Sequence, residues 1–174
     1  NTVENLPLLI QRLNNQGVEI CAITDHDVFS YALYQGLKAS ESQEVSIKKV
    51  LPGVEFTVDF MVDGSARPLH IVAIFSDADE DKVKNIELVM NAHPLGCDEA
   101  YSEELFLQIL REIDLDTILI AHQKNTISSK KPRENDATSL GMPKFLEFVY
   151  SDYFEAFEFK NKKNEVFNKA YLLQ

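Results

Sequence analysis

The chain has 174 residues, 45% of them hydrophobic and 26% charged, a balance that fits one soluble globular domain and excludes a collagenous, low-complexity or disordered chain. With 28 acidic residues against 17 basic ones and a formal net charge of −11, its own field opposes nonspecific binding to a nucleic-acid backbone. Two cysteines, Cys21 and Cys97, are too few for a disulfide framework, no apolar run approaches the roughly 20 residues of a membrane span, and no signal peptide is visible, so the expected setting is the reducing cytoplasm, with no membrane partner.

Leu6, Leu9, Ile10 and Leu13 recur at helical spacing, with Asn5 placed to cap that helix and Gly17 to stop it. Residues 20–23 form a short apolar run with two β-branched members, which predicts a core strand. That run stops abruptly at Asp25, His26 and Asp27, the last of which is placed to start the next helix, whose face is Phe29, Ala32, Leu33 and Leu37. After Pro52-Gly53, the residues Val54, Phe56, Val58 and Phe60 alternate with Glu55, Thr57 and Asp59, so 50–62 predicts a strand with one buried face. Asp63-Gly64 marks a turn, and 69–75 is a second, nearly continuous apolar strand, paired as a hairpin or lying beside the first.

Asp79 can cap a helix carrying Val83, Ile86 and Met90, which the loop 94–96 ends. Asp98 and Glu99 read as charges at the start of a helix, and a helix beginning near Ser102 has Glu103 and Glu104 at the positive end of its dipole and a stripe of Leu105, Phe106, Ile109, Leu110 and Ile113. Residues 117–121 predict a buried strand ending at His122, and 125–139, with Lys130, Lys131 and Arg133, predict a mobile loop. Pro143 opens a short helix, 153–159 alternate as a strand, and 166–172 predict a last helical turn or two. The aromatic run Tyr150, Tyr153, Phe154, Phe157 and Phe159 is expected in the core. Alternating helices and strands define an α/β fold, and periodicity allows a barrel or an open sheet.

Three of the four histidines have related addresses. His26 and His122 end strands, and His70 enters one. Glu55 is a carboxylate in an apolar neighbourhood, although Thr57 and Asp59 share its parity and would equally place it on a solvated face. Imidazole and carboxylate from several strand ends suit a zinc, manganese or iron site, whereas any one of these side chains alone is more simply a hydrogen-bonded structural group. His93-Pro94 lies in a loop and is expected to be an exposed histidine. Lys124 directly follows His122, and the charged loop after it is expected to be solvated. Glu158 and Asn161 close the last strand, where a role next to the site and ordinary cap or turn duty are both open.

The segments Ile23-Thr24-Asp25-His26-Asp27, Pro52-Gly53-Val54-Glu55, Leu69-His70-Ile71-Val72-Ala73 and Ile120-Ala121-His122, in this order and over residues 3–160, resemble the PHP (polymerase and histidinol phosphatase) domain family. The resemblance implies a distorted (β/α)7 barrel with two or three divalent ions (zinc, manganese or iron) that hydrolyses phosphate esters of small molecules or nucleotides. Carried over residue by residue, it makes His26, Glu55, His70 and His122 metal ligands, with Asp25 beside them; Lys124, by its position directly after His122 and not by the resemblance, is available to a substrate phosphate. The family pattern opens with a His-x-His strand and closes with an Asp-x-His strand, and the chain contains neither, so the expectation is one incomplete PHP-type domain over 1–174 of a longer protein. Residues 120–124 and 95–99 are similar to PHP domains joined to a large P-loop ATPase; no glycine-rich phosphate loop occurs here, so that ATPase would lie elsewhere in the parent chain. Two rival readings follow from the same residues: a noncatalytic scaffold or sensing module, and a metal hydrolase acting on C–N bonds.

Overall fold

The computed structural model describes residues 3–42, 44–123, 137–151 and 153–159. It is mixed α/β, and the chain divides into two compact units: Asn1–Glu55 with Ile74–Pro94 and Ile109–Thr117, and Phe56–Ala73 with Leu95–Gln108 and Ile118–Gln174. No helix among the described residues is long and apolar enough to cross a membrane.

In the first unit, helix α1 (Leu6–Asn15) stops where the spacing predicts. Gly17 takes φ +67°, and the Gly17 and Val18 N–H groups donate to the Asn14 and Leu13 carbonyls at 3.0 Å each, a paired closure that satisfies the last orphan carbonyls of the helix. Asn5 differs from expectation: its side chain makes no capping bond and its backbone is already helical, because the chain enters α1 through a 3-10 turn at Val3–Asn5. Strand β1 (Ile20–His26) runs parallel to strand β2 (Lys49–Val62), in register from Ile20 opposite Lys49 to His26 opposite Glu55. β1 is not the core strand that its composition suggests. With β2 as its one strand neighbour among the described residues, it buries Ile23 and exposes Ile20.

The helix after β1 does not start at Asp27. Asp27 has φ +54°, a left-handed conformation that aspartate tolerates, and helix α2 (Tyr31–Lys38) is capped by Ser30, whose hydroxyl accepts the Leu33 N–H at 3.3 Å. Helix α3 (Glu80–Ala92) is capped as expected by Asp79, which accepts the Lys82 N–H at 3.1 Å. Ile23, Leu33, Leu37, Val50, Val54, Phe75, Val83 and Ile86 are buried in this unit.

In the second unit, β2 and strand β3 (Ser65–Phe75) are neighbours joined by Asp63 and Gly64. Both turn residues have positive φ, +49° and +75°, the handedness that matches the twist of two antiparallel strands. β3 begins earlier than the apolar run indicates, which puts His70 in mid-strand instead of at its entrance. A two-residue strand β4 (Tyr101–Ser102) lies parallel to β2, too short to leave a pattern in the sequence. Ser102 then accepts the Leu105 N–H at 3.2 Å and caps helix α4 (Glu103–Ile113). Strand β5 (Thr117–Gln123) is followed by a 3-10 turn at Ala137–Leu140, helix α5 (Met142–Tyr150) and strand β6 (Ala156–Phe159), which pairs in parallel with β5.

Aromatic rings fill this second unit. Phe56 meets Phe106 at 5.1 Å between centroids, Phe60 meets Phe148 at 5.1 Å, and Phe148 meets Phe154 at 5.0 Å, mostly edge to face as ring quadrupoles prefer. Phe154 and Phe157 are buried as expected, but Tyr150, the last residue of α5, is exposed. The predicted loop to residue 136, with Lys130, Lys131 and Arg133, the predicted helix 166–172, Lys124 and Asn161 all lie outside the described residues.

Candidate functional site

In the first unit the site begins with a matched pair. His26 is the last residue of β1, and Glu55 is its partner in the β1/β2 register. Residues opposite each other on parallel strands, about 4.8 Å apart, project to the same face, so register alone brings an imidazole and a carboxylate together. His26 Nε2 lies 3.5 Å from Glu55 Oε1; the Glu55 side chain is 15% exposed and that of His26 57%. Glu55 is therefore largely withdrawn from water, in contrast to the solvated face that its parity with Thr57 and Asp59 allowed. The Asp27 N–H donates to the Glu55 carbonyl at 2.9 Å, locking the register at the pair, and the left-handed turn at Asp27 then carries the chain away. Asp25 pairs with Val54 in the same register, and strand alternation gives it the face of Ile23, opposite to that of His26.

The second unit holds a second imidazole and carboxylate pair. His122, buried near the end of β5, stands opposite Glu158 of β6, and its Nε2 lies 3.0 Å from Glu158 Oε2; the His122 side chain is 7% exposed and that of Glu158 40%. The pairing is set by Glu155, whose carboxylate accepts the Leu119 N–H at 2.7 Å while its own N–H donates to the Leu119 carbonyl at 3.1 Å. His70 places its ring 5.6 Å from that of His122, at 62° between planes. Gln123, next to His122, is completely buried. Sequence reasoning passed over it; a glutamine closing an apolar strand was the available signal.

Within the first unit, His26 and Glu55 offer an imidazole nitrogen and a carboxylate oxygen that could hold a metal ion, whereas His70 belongs to the second unit. Such a mixed set suits zinc, manganese or iron, and its carboxylate is sheltered, so the residues fit a divalent cation by their chemistry.

Other candidates take structural roles. His93 is not an exposed loop histidine; it follows α3 half-buried, and its Nε2 lies 2.8 Å from Glu112 Oε2. Asp98 and Glu99 do not open a helix: Asp98 has φ +62° and Glu99 accepts the Gly96 N–H at 2.8 Å in the turn before β4. In the first unit Asp77 accepts from Lys38 and Lys49 at 2.6 Å each. Burial raises the Asp77 pKa, but the two lysine bonds outweigh it and hold the carboxyl below its usual range. A cavity of about 470 Å³ beside this cluster is lined by Tyr34, Gln35, Lys38, Asp77, Glu80 and Val83, whose charged members are committed to ion pairs and hydrogen bonds with one another and their neighbours.

A comparison of the chain with family models, with curated proteins and with solved structures finds no match.

Proposed function

We propose that the chain supplies metal ligands to a phosphoesterase that hydrolyses phosphate esters of small molecules or nucleotides, with water as the nucleophile. His26, Glu55, His70 and His122 are the ligands in this reading, and the fold it entails is the PHP-type distorted (β/α)7 barrel with two or three ions of zinc, manganese or iron. The observation that carries it is the His26–Glu55 pair, set by register at the end of β1, with its carboxylate sheltered from water. A bound divalent ion lowers the pKa of water and stabilises charge on phosphoryl oxygens, so no protein nucleophile is needed.

The residues of the chain do the rest. Glu55 and the imidazoles hold the ions, and Lys124 neutralises a nonbridging oxygen of the substrate. The reading is tested by removing metal with a chelator and assaying phosphate mono- and diester hydrolysis, with elemental analysis of wild type, His26→Ala and His122→Ala. Loss of turnover on chelation and lower metal content in both variants support it; full activity after chelation with undiminished metal content overturns it. Bound metal without turnover assigns the noncatalytic scaffold instead.

A further inference from the structure

We infer that Glu158 is a positioning residue for His122, holding its Nε2–H so that Nδ1 is the nitrogen offered to a divalent metal. The inference deepens the metal reading above and rests on it. His122 is almost wholly buried, and a buried imidazole must satisfy its N–H. The nitrogen facing the carboxylate is Nε2, at 3.0 Å, a normal hydrogen-bond distance. A carboxylate accepts, so the proton belongs on Nε2 and the lone pair on Nδ1.

The contact is built into the fold. His122 and Glu158 are opposite one another in the β5/β6 register, and Glu155 pins the start of that register through both its side chain and its backbone. The neighbouring His70 ring packs against His122 at 62°, limiting its rotation from another side. Glu158 itself remains 40% exposed, so accepting this bond does not require desolvating a whole carboxylate. The two pairs differ in sense: at His26 and Glu55 the carboxylate is the sheltered member, whereas at His122 and Glu158 it is the imidazole. Orientation of a metal-bound imidazole by a carboxylate on its other nitrogen fixes tautomer and ring angle, and its removal typically weakens metal binding by about 10–100-fold.

The test combines a readout without metal and one with it. Long-range proton–nitrogen NMR of the metal-free chain is expected to show His122 protonated on Nε2. Zinc titration by calorimetry is expected to show Glu158→Ala weakened about 10–100-fold and Glu158→Gln close to wild type, since an amide oxygen still accepts the bond. Circular dichroism confirms that both variants fold. His122 protonated on Nδ1, or zinc affinity unchanged in Glu158→Ala, overturns the inference alone. Equal loss in Glu158→Gln and Glu158→Ala also overturns it, by making Glu158 a ligand. No zinc uptake by the wild type overturns it together with the metal reading, which is a distinguishable result.

Discussion

His26 and Glu55 stand opposite each other in the register of two parallel strands, 3.5 Å apart between Nε2 and Oε1, with the Asp27 N–H bonded to the Glu55 carbonyl directly beyond them. The pair separates metal binding from stability. His26 is more than half exposed, so His26→Ala is expected to change unfolding free energy by less than about 0.5 kcal/mol. Its zinc affinity is expected to fall at least about 10-fold, as for loss of a ligand. Urea melts and calorimetric titration of the same variant check both halves; loss of stability with unchanged zinc affinity would make His26 purely structural.

Asp77 makes folding acid-sensitive in a definite direction. Its folded carboxyl lies below the ordinary range because the bonds from Lys38 and Lys49 outweigh the effect of burial. A depressed folded pKa gives stability that is fully present above the unfolded value of about 3.9 and is lost as pH falls from there through the folded value. Asp77→Asn is expected to cost about 1–2 kcal/mol at neutral pH, discounting for the exposure of the two lysines. Urea melts between about pH 3 and pH 7 should show a shallower acid loss in the variant than in the wild type.

Phe148 joins α5 to the strands of its unit. It is buried and meets Phe60 at 5.1 Å and Phe154 at 5.0 Å between centroids. Phe148→Ala removes a ring from a packed aromatic set and is expected to destabilise by about 3–5 kcal/mol, against less than about 1.5 kcal/mol for Phe148→Leu if the remaining rings close on the smaller side chain. Equilibrium denaturation of both variants decides whether this cluster is the core of the unit.

The two thiols should differ in reactivity. Cys97 is exposed, whereas Cys21 is half-buried beside a small cavity lined by Leu9, Leu13 and Leu37. Burial, followed by the Glu41 carboxylate, pushes the Cys21 thiol up, so less thiolate is present to attack. Alkylation of the native chain near pH 8, followed by peptide mass spectrometry, is expected to label Cys97 first, with Cys21 reacting fully only after unfolding.

Most helices and strands were legible because they rest on local periodicity: the stripe of α4, the cap at Asp79, the glycine stop at Gly17 and the alternation of β2 are short-range patterns that burial merely uses. His26, Glu55, His70 and His122 were visible as candidates, each for its chemical type and position along a strand. Local pattern failed where a neighbour in space set the outcome. Ile20 looks like core, but β1 has too little around it to cover that side chain. Asp27 looks like a helix start, but its N–H is committed to Glu55 and the cap falls to Ser30.

The sequence alone supplies an inventory: an acidic α/β chain with three imidazoles and a carboxylate placed on or beside its apolar runs. The tertiary structure alone decided the partners. Which carboxylate meets which histidine depends on strand register, and register is set by long-range bonds such as the two between Leu119 and Glu155, one through the Glu155 carboxylate and one through its backbone N–H, which no local pattern encodes. Through that register Glu55 is assigned to His26 and Glu158 to His122.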